Sequence, residues 1–289
     1  GFIFSFRISL MKLVILFLFF TFLLVSSVVA QDMGAQILEH VSDGDSWTPL
    51  PVVPEIKLGG TSVLGVRIPF TRHVSMLIIS ALILTGMGLS VGFSSDVIPR
   101  GVSAFVEPVV LFIRDSVLFP MFGERDGLRW LGFFSTLFFF ILVTNGIGLC
   151  PFFSTATSNI NITLGLASII FFITFSAGFL KFGPVAFFTN MCPHGVPKPI
   201  GFVIILIETA GLFIKNFVLA IRLFANMLAG HFVIVSLLAL IFIVHPLALF
   251  VSVPLAVFIS LLEVLVVIIQ AFVFTLLSVI FISGAVSEH

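Results

Sequence analysis

The chain has 289 residues, of which 60% are hydrophobic and 9% are charged, and its formal net charge is zero. Soluble globular chains carry about 25% charged residues, so this composition excludes an ordinary soluble domain and predicts an all-α integral membrane protein. The balanced charge gives no indication of nucleic-acid binding. The two cysteines, Cys150 and Cys192, lack a metal-binding spacing, and we predict neither a metal nor another cofactor.

The first 30 residues begin with basic side chains, continue as an apolar run and end in small residues. This pattern is typical of a secretory signal. Because the apolar run is long, a retained extra membrane helix fits it equally well, and both interpretations stay open. Residues 31–72 are polar and rich in proline and glycine, which predicts an extramembrane segment with short helical or strand pieces.

The membrane domain is expected over residues 73–289, with about five to six membrane helices in all. The membrane helices predicted in this part of the chain run over about 73–94, 128–150, 161–181, 200–243 and 247–283. Residues 100–122 differ, because Arg100, Glu107 and Arg114 interrupt apolar residues at helical spacing. We interpret them as an amphipathic helix on the membrane surface, with an ordinary loop helix as the alternative.

The last two predicted helices are too long to cross a bilayer upright. Forty-odd residues at about 1.5 Å each extend about 65 Å, roughly twice the hydrocarbon thickness of a membrane. The two helices should therefore form a long hairpin that is strongly tilted or broken. Pro254 is expected to kink the second helix near its start.

Loop charge predicts the orientation. Lysine and arginine occur in the connections at 95–128 and 181–200, whereas the turns at 151–160 and 244–250 carry neither. The positive-inside rule places the first pair in the cytoplasm or matrix.

The helix at 200–243 carries polar residues that a lipid-embedded helix normally lacks. An arginine at mid-membrane depth costs about 3 kcal/mol. At about 100° per residue, Glu208, Lys215 and Arg222 fall within roughly 40° of one another. Asn226 lies one turn beyond Arg222 on nearly the same face, whereas His231 points to about the opposite side.

In the predicted orientation, Glu208 lies in the inner half of the membrane, and His231 and Glu263 lie in the outer half. Arg222 separates the two sets. A continuous relay would leak protons, whereas two half-channels divided by a fixed positive charge would not. The division requires a carrier that moves between them, so a partner with a membrane carboxylate is implied.

Two segments carry a resemblance to a known family. Arg222-Leu-Phe-Ala-Asn-Met-Leu-Ala-Gly-His231 resembles the signature of subunit a of rotary F-type ATP synthases, and residues 261–275 resemble its last helix. The resemblance extends weakly back to about Ile37. It implies proton translocation through two offset half-channels at the interface with the rotating c-ring, coupling the proton-motive force to ATP synthesis. The chain itself would be non-catalytic and would bind no nucleotide.

The resemblance also implies roles for single residues. Arg222 would attract each ionised ring carboxylate and block a proton shunt, and Gln270, seven residues after Glu263, would hydrogen-bond near it. His231 and Glu263 would line the outer half-channel, and Glu208 the inner one.

Other positions are weaker candidates. Asn226 is expected near mid-depth in the proton path. Lys215 is a further candidate for the proton path, and the alternatives are that it snorkels or pairs with Glu208. Asn145 and the polar run at 154–163 have two open interpretations, as helix-end and turn residues or as channel lining. Small residues around the arginine are expected to permit close approach of another helix: Ala220, Ala225, Ala229 and Gly230.

The implied partners are the c-ring, the peripheral-stalk b subunits, other Fo subunits and membrane lipid. A bacterial cytoplasmic membrane is favoured, with the mitochondrial inner membrane as the alternative, and the choice between protons and sodium stays open. A stand-alone channel or secondary transporter would predict inverted repeats, and the sequence shows none. A structural scaffold would leave the intramembrane charged residues unexplained.

Overall fold

The computed structural model describes nine parts of the chain. They are residues 46–47, 56–57, 61–63, 66–68, 71–92, 100–149, 155–190, 198–243 and 249–286. The signal-like segment over residues 1–30 lies outside the described residues, so neither interpretation of it is tested.

Four short strands form two antiparallel pairs ahead of the first described helix. Strand β1 (Ser46–Trp47) pairs with β2 (Ile56–Lys57), and β3 (Thr61–Val63) pairs with β4 (Val66–Ile68). They are the short strand pieces expected between residues 31 and 72.

Helices form the rest of the described chain, which confirms the all-α membrane class. They are α1 (Arg72–Gly92), α2 (Val102–Ile113), α3 (Phe119–Gly148), α4 (Ile160–Phe182), α5 (Pro184–Asn190), α6 (Lys198–Ile243) and α7 (Leu249–Val286). A π-helical turn (Arg114–Leu118) joins α2 to α3, and a 3-10 turn (Ala156–Ser158) precedes α4. Within the described ranges, five stretches are long and apolar enough to cross a membrane. Helix α5 corrects the prediction of a simple loop over 182–200.

The segment predicted as a surface helix ends where expected. The helix that begins with α2 continues to Phe122, and Gly123 then takes a non-helical conformation with φ 75° and ψ 171°. Glycine adopts positive φ without steric strain, so the chain changes direction here before the membrane-crossing part of α3. The surface location itself stays a prediction.

The two longest helices are continuous. Helix α6 has 46 residues and α7 has 38, so α6 extends about 69 Å at 1.5 Å per residue. Of the two predicted alternatives, the structure therefore excludes broken helices. Pro254 lies inside α7, which does not end there.

Each long helix buries one face. The buried residues of α7 recur at intervals of three, four or seven positions, as a helix face requires: Ser252, Ala256, Glu263, Val267, Gln270, Phe274, Ser278 and Ile282. In α6 the buried positions include Asn216, Leu219, Leu223 and Met227. Both helices pack on a common core. The other members of this core include Phe134, Leu137 and Ile141 of α3 and Ile170 of α4. Their remaining faces are exposed and mostly apolar, as expected of helices in contact with lipid or with another membrane protein.

Helix α5 folds back against α4 at a glycine. Gly183, with φ 82°, separates the two helices. The buried ring of Phe187 then lies directly against Gly178, where an added Cβ would overlap the ring. The Lys181 ammonium donates a hydrogen bond to the carbonyl of Val286 over 2.8 Å, which ties the end of α7 to the same corner.

Replacement of Gly178 by alanine should destabilise this corner. Overpacking typically costs about 1–3 kcal/mol, so we expect the midpoint of thermal unfolding of the purified protein in detergent to fall. Gly132→Ala is the matched control, because a Cβ there meets no atom within 4 Å. An unfolding midpoint for Gly178→Ala equal to that of the control would contradict the packing described here.

Candidate functional site in the α6–α7 hairpin

Helix α6 carries a charged stripe on its open side. Glu208 and Lys215 are exposed and Arg222 is half-buried, so all three lie on the face that the bundle leaves uncovered. The spacing of seven residues predicts this arrangement. Exposed Val218 and Ile221 adjoin the arginine on the same side.

The stripe forms no internal ion pair. In the part of the chain that the structure describes, the ion pairs are Arg114 with Asp115 and Arg129 with Asp126, and none involves Arg222. The pairing of Lys215 with Glu208, one of the two predicted alternatives for this lysine, is therefore not formed. The counter-charge that a guanidinium needs at membrane depth must come from outside these residues.

One turn beyond the arginine, a hydrogen bond joins the two long helices. The side-chain amide of Asn226 donates to Oε1 of Gln270 over 2.8 Å. Gln270 thus contacts α6 near Arg222, as the resemblance implies, through Asn226. It is buried, and its own Nε2 atom has no hydrogen-bond partner among the described residues.

Glu263 of α7 packs against a glycine of α6. Its side chain is buried, and an added Cβ at Gly230 would lie 2.8 Å from the carboxyl carbon. Only glycine allows this approach. The predicted role of small residues in close packing thus applies to Gly230 and to fully buried Ala220, whereas Ala225 and Ala229 lie exposed on the open side.

His231 points away from the stripe and into the bundle. Its Nε2 atom lies 2.5 Å from the hydroxyl oxygen of Thr155, just ahead of the 3-10 turn. The same hydroxyl lies 3.4 Å from the carbonyl oxygen of Gly148 at the end of α3. The predicted opposite orientation of His231 and Arg222 agrees with this contact.

Asn145 belongs to the same region. It is fully buried, and its Oδ1 atom accepts a hydrogen bond of 2.8 Å from the hydroxyl of Thr157. We call Asn145, Thr155, Thr157 and His231 the polar cluster. The described part of this run, 155–163, is thus a turn and helix start, as one interpretation predicts, yet its threonines are buried.

A cavity of about 290 Å³ adjoins the polar cluster. Its lining residues come from α1, α3, the 3-10 turn, α4 and α6: Leu77, Phe140, Ile141, Thr144, Thr157, Ile162, Thr163, Gly165, Leu166, Ile169 and Leu223. The hydroxyl of Thr144 and the Nδ2 atom of Asn145 are buried without a partner among the described residues. Apart from its threonines and Gly165, the residues that line the cavity have apolar side chains.

Sequence reasoning did not single out His73, Gly148 or the individual role of Thr155. His73 is fully buried in the first turn of α1, on the same face as Leu77, which lines the cavity. In the sequence it follows an arginine at a helix start and resembles a surface residue. No group of three or more potential metal ligands occurs within the described ranges.

Comparisons with known proteins decide the family. Residues 73–283 match the family model described as ATP synthase A chain. The chain belongs to this family. Both segments that carry the resemblance lie inside the matched residues, so the predicted family is confirmed.

Bacterial relatives share about two fifths of its residues. Relatives named ATP synthase subunit a are 40% identical over 256 residues in Anaeromyxobacter sp. strain Fw109-5, covering 87% of this chain and 62% of the relative, and 41% identical over 263 residues in Chloroherpeton thalassium, covering 87% and 77%. The one from Myxococcus xanthus is 40% identical over 261 residues, covering 86% of each. The chain thus spans less than two thirds of the length of the Anaeromyxobacter relative.

The bond between Asn226 and Gln270 should contribute measurably to the hairpin. We expect the single Asn226→Ala and Gln270→Ala variants and their double variant to form a non-additive cycle, with a coupling free energy of about 0.5–1.5 kcal/mol. Unfolding in mixed micelles measures it. Strictly additive losses would show that the two side chains do not interact.

Proposed function

We propose that this chain is the proton-translocating stator subunit of a rotary ATP synthase. Protons pass through two half-channels at its interface with a ring of c subunits, and their flow couples the proton-motive force to ATP synthesis. The observation that carries the proposal is Arg222, a cation on the open side of α6 that forms no ion pair with the described residues, with protonatable residues on either side of it along the hairpin.

The open side of α6 suits a rotating partner. Ala225 and Ala229 lie exposed beside Arg222, and their short side chains leave room for a neighbouring helix. The adjoining face of α7 is apolar, with Leu261, Leu265 and Ile268 exposed. A ring helix that bears a carboxylate could therefore approach closely and slide past. The fixed positive charge favours the ionised form of each passing carboxylate and blocks a direct proton shunt.

The outer half-channel comprises the polar cluster, Glu263 and the adjoining cavity. His231 and Glu263 are its titratable groups, and Gly230 brings the carboxylate of Glu263 against α6. Asn145 and Thr157 supply hydrogen-bonding groups between the cavity and α6. Asn226 and Gln270 form the boundary of this half-channel next to Arg222.

The inner half-channel is reached through Glu208. This carboxylate is exposed on the open side of α6, 14 residues before Arg222, which is about 21 Å along the helix. Lys215 lies midway between them on the same stripe, so a ring carboxylate that leaves the inner half-channel meets a cation before it reaches Arg222.

The chain itself makes no ATP in this proposal and binds no nucleotide, metal or other cofactor. Its partners are the c-ring, the peripheral-stalk b subunits and other Fo subunits, within a bacterial cytoplasmic membrane. The bacterial relatives favour that location. A stand-alone transporter is not favoured, because its broken helices are absent from the described lengths of α6 and α7.

Arg222→Ala should abolish ATP-driven proton pumping by membrane vesicles while the complex still assembles, because the variant removes the charge that separates the half-channels. Acidification of the vesicle lumen measures pumping, and the amount of this chain that purifies with the ring measures assembly. Arg129→Ala is the control, since Arg129 is exposed and pairs with Asp126 on the same turn. Full pumping by Arg222→Ala would refute the proposal.

Glu263→Gln and Gly230→Ala should both slow pumping, the first by removing the proton-binding group and the second by displacing it. Gly211→Ala is the control for the glycine, because a Cβ at residue 211 of the same helix meets no atom within 4 Å. Initial rates of vesicle acidification are compared. If Gly230→Ala pumps as fast as Gly211→Ala, the position of Glu263 against α6 is irrelevant to proton transfer.

A further inference from the structure

The hydroxyl group of Thr155 lies between two groups that differ in their capacity to donate and accept hydrogen bonds. One is Nε2 of His231, 2.5 Å away, which donates or accepts according to the protonation of the ring. The other is the carbonyl oxygen of Gly148, 3.4 Å away, which only accepts. Thr155 is buried, with 6% of its surface exposed.

A hydroxyl has one proton to donate and two lone pairs that accept. When Nε2 of His231 carries a proton, it donates to the threonine oxygen, and the threonine proton turns to the carbonyl of Gly148. When Nε2 has lost its proton, the threonine proton turns back and donates to the ring. Rotation about one bond therefore satisfies both protonation states of the imidazole nitrogen.

The backbone around Thr155 holds this geometry. The hydroxyl of Ser158 donates to the Thr155 carbonyl over 2.7 Å, which fixes the start of the 3-10 turn. At Gly148, an added Cβ would lie 2.8 Å from Cγ2 of Thr155 and 3.0 Å from its hydroxyl oxygen. Glycine at the end of α3 therefore lets the turn approach closely enough for the threonine to reach both groups.

We infer that Thr155 is the positioning residue of His231: it holds the imidazole in the outer half-channel and stays hydrogen-bonded to Nε2 whether or not that nitrogen carries a proton. The inference rests on the proposed function and adds a residue to it. A side chain of the same shape that lacks the hydroxyl removes this hydrogen bond from Nε2 in both protonation states, at a cost in free energy.

Three variants separate the hydroxyl from the shape of the side chain. Thr155→Val keeps the shape and loses the hydroxyl, and we expect proton pumping per assembled complex to fall about tenfold. Thr155→Ser keeps the hydroxyl and should pump within about twofold of the unmodified complex. Thr174→Val is the matched control, because Thr174 is a buried threonine of α4 whose hydroxyl donates only to its own helix, at Ile170. It should pump normally.

A second perturbation leaves the hydroxyl in place. Gly148→Ala should displace Thr155 and slow pumping, whereas Gly146→Ala should not, because a Cβ at residue 146 of the same helix meets no atom within 4 Å. This pair tests the inference even if Thr155→Val assembles poorly.

The action through His231 is tested by combining variants. If Thr155 works through the imidazole, Thr155→Val added to His231→Gln should slow pumping no further than His231→Gln alone. Normal pumping by Thr155→Val, equal losses in the serine and valine variants, or a further loss in the combined variant would each overturn the inference. None of these results requires the proposed function to fail, since Arg222→Ala tests that separately.

Discussion

A guanidinium group at the depth of the hydrocarbon needs a counter-charge, and the described part of this chain supplies none to Arg222. The helix that carries it is mostly apolar and packs through its other side. The unsatisfied charge is thus a feature of the surface that faces away from the bundle, and a cost of about 3 kcal/mol is tolerable if a partner's carboxylates offset it. The proposed function follows from this need of Arg222 for a counter-charge from a partner.

The length and packing of α6 complement that charge. A helix of about 69 Å must tilt within about 30 Å of hydrocarbon. Glu208 and His231, 23 residues apart, are separated by about 35 Å along the helix axis, so a tilt would displace the two proposed half-channels sideways as well as in depth. The face that carries Arg222 stays open, while His231 enters the bundle and meets Thr155. One helix thus presents its fixed charge on the open side and its titratable histidine to the polar cluster.

Helical periodicity was sufficient to predict the stripe of Glu208, Lys215 and Arg222, because spacing within one helix determines which residues share a face. Contacts between segments distant in the chain were not predictable in this way. Thr155 lies 76 residues before His231, and only packing shows that the turn ahead of α4 reaches α6. Residue 148 must be glycine because Thr155 lies against it, a contact that the sequence does not reveal. His73 is fully buried, although its position at a helix start is typical of a surface residue.

The most direct test asks whether the two half-channels open to opposite sides of the membrane. Single cysteines are placed at Thr157 in the polar cluster and at Gly211, one turn from Glu208, after Cys150 and Cys192 have been replaced by serine. A membrane-impermeant thiol reagent is then added to one side at a time, in vesicles of known orientation that contain the assembled complex. The account predicts that residue 157 reacts only from the outer side and residue 211 only from the inner side. Reaction of both cysteines from the same side would show one continuous path and would contradict it.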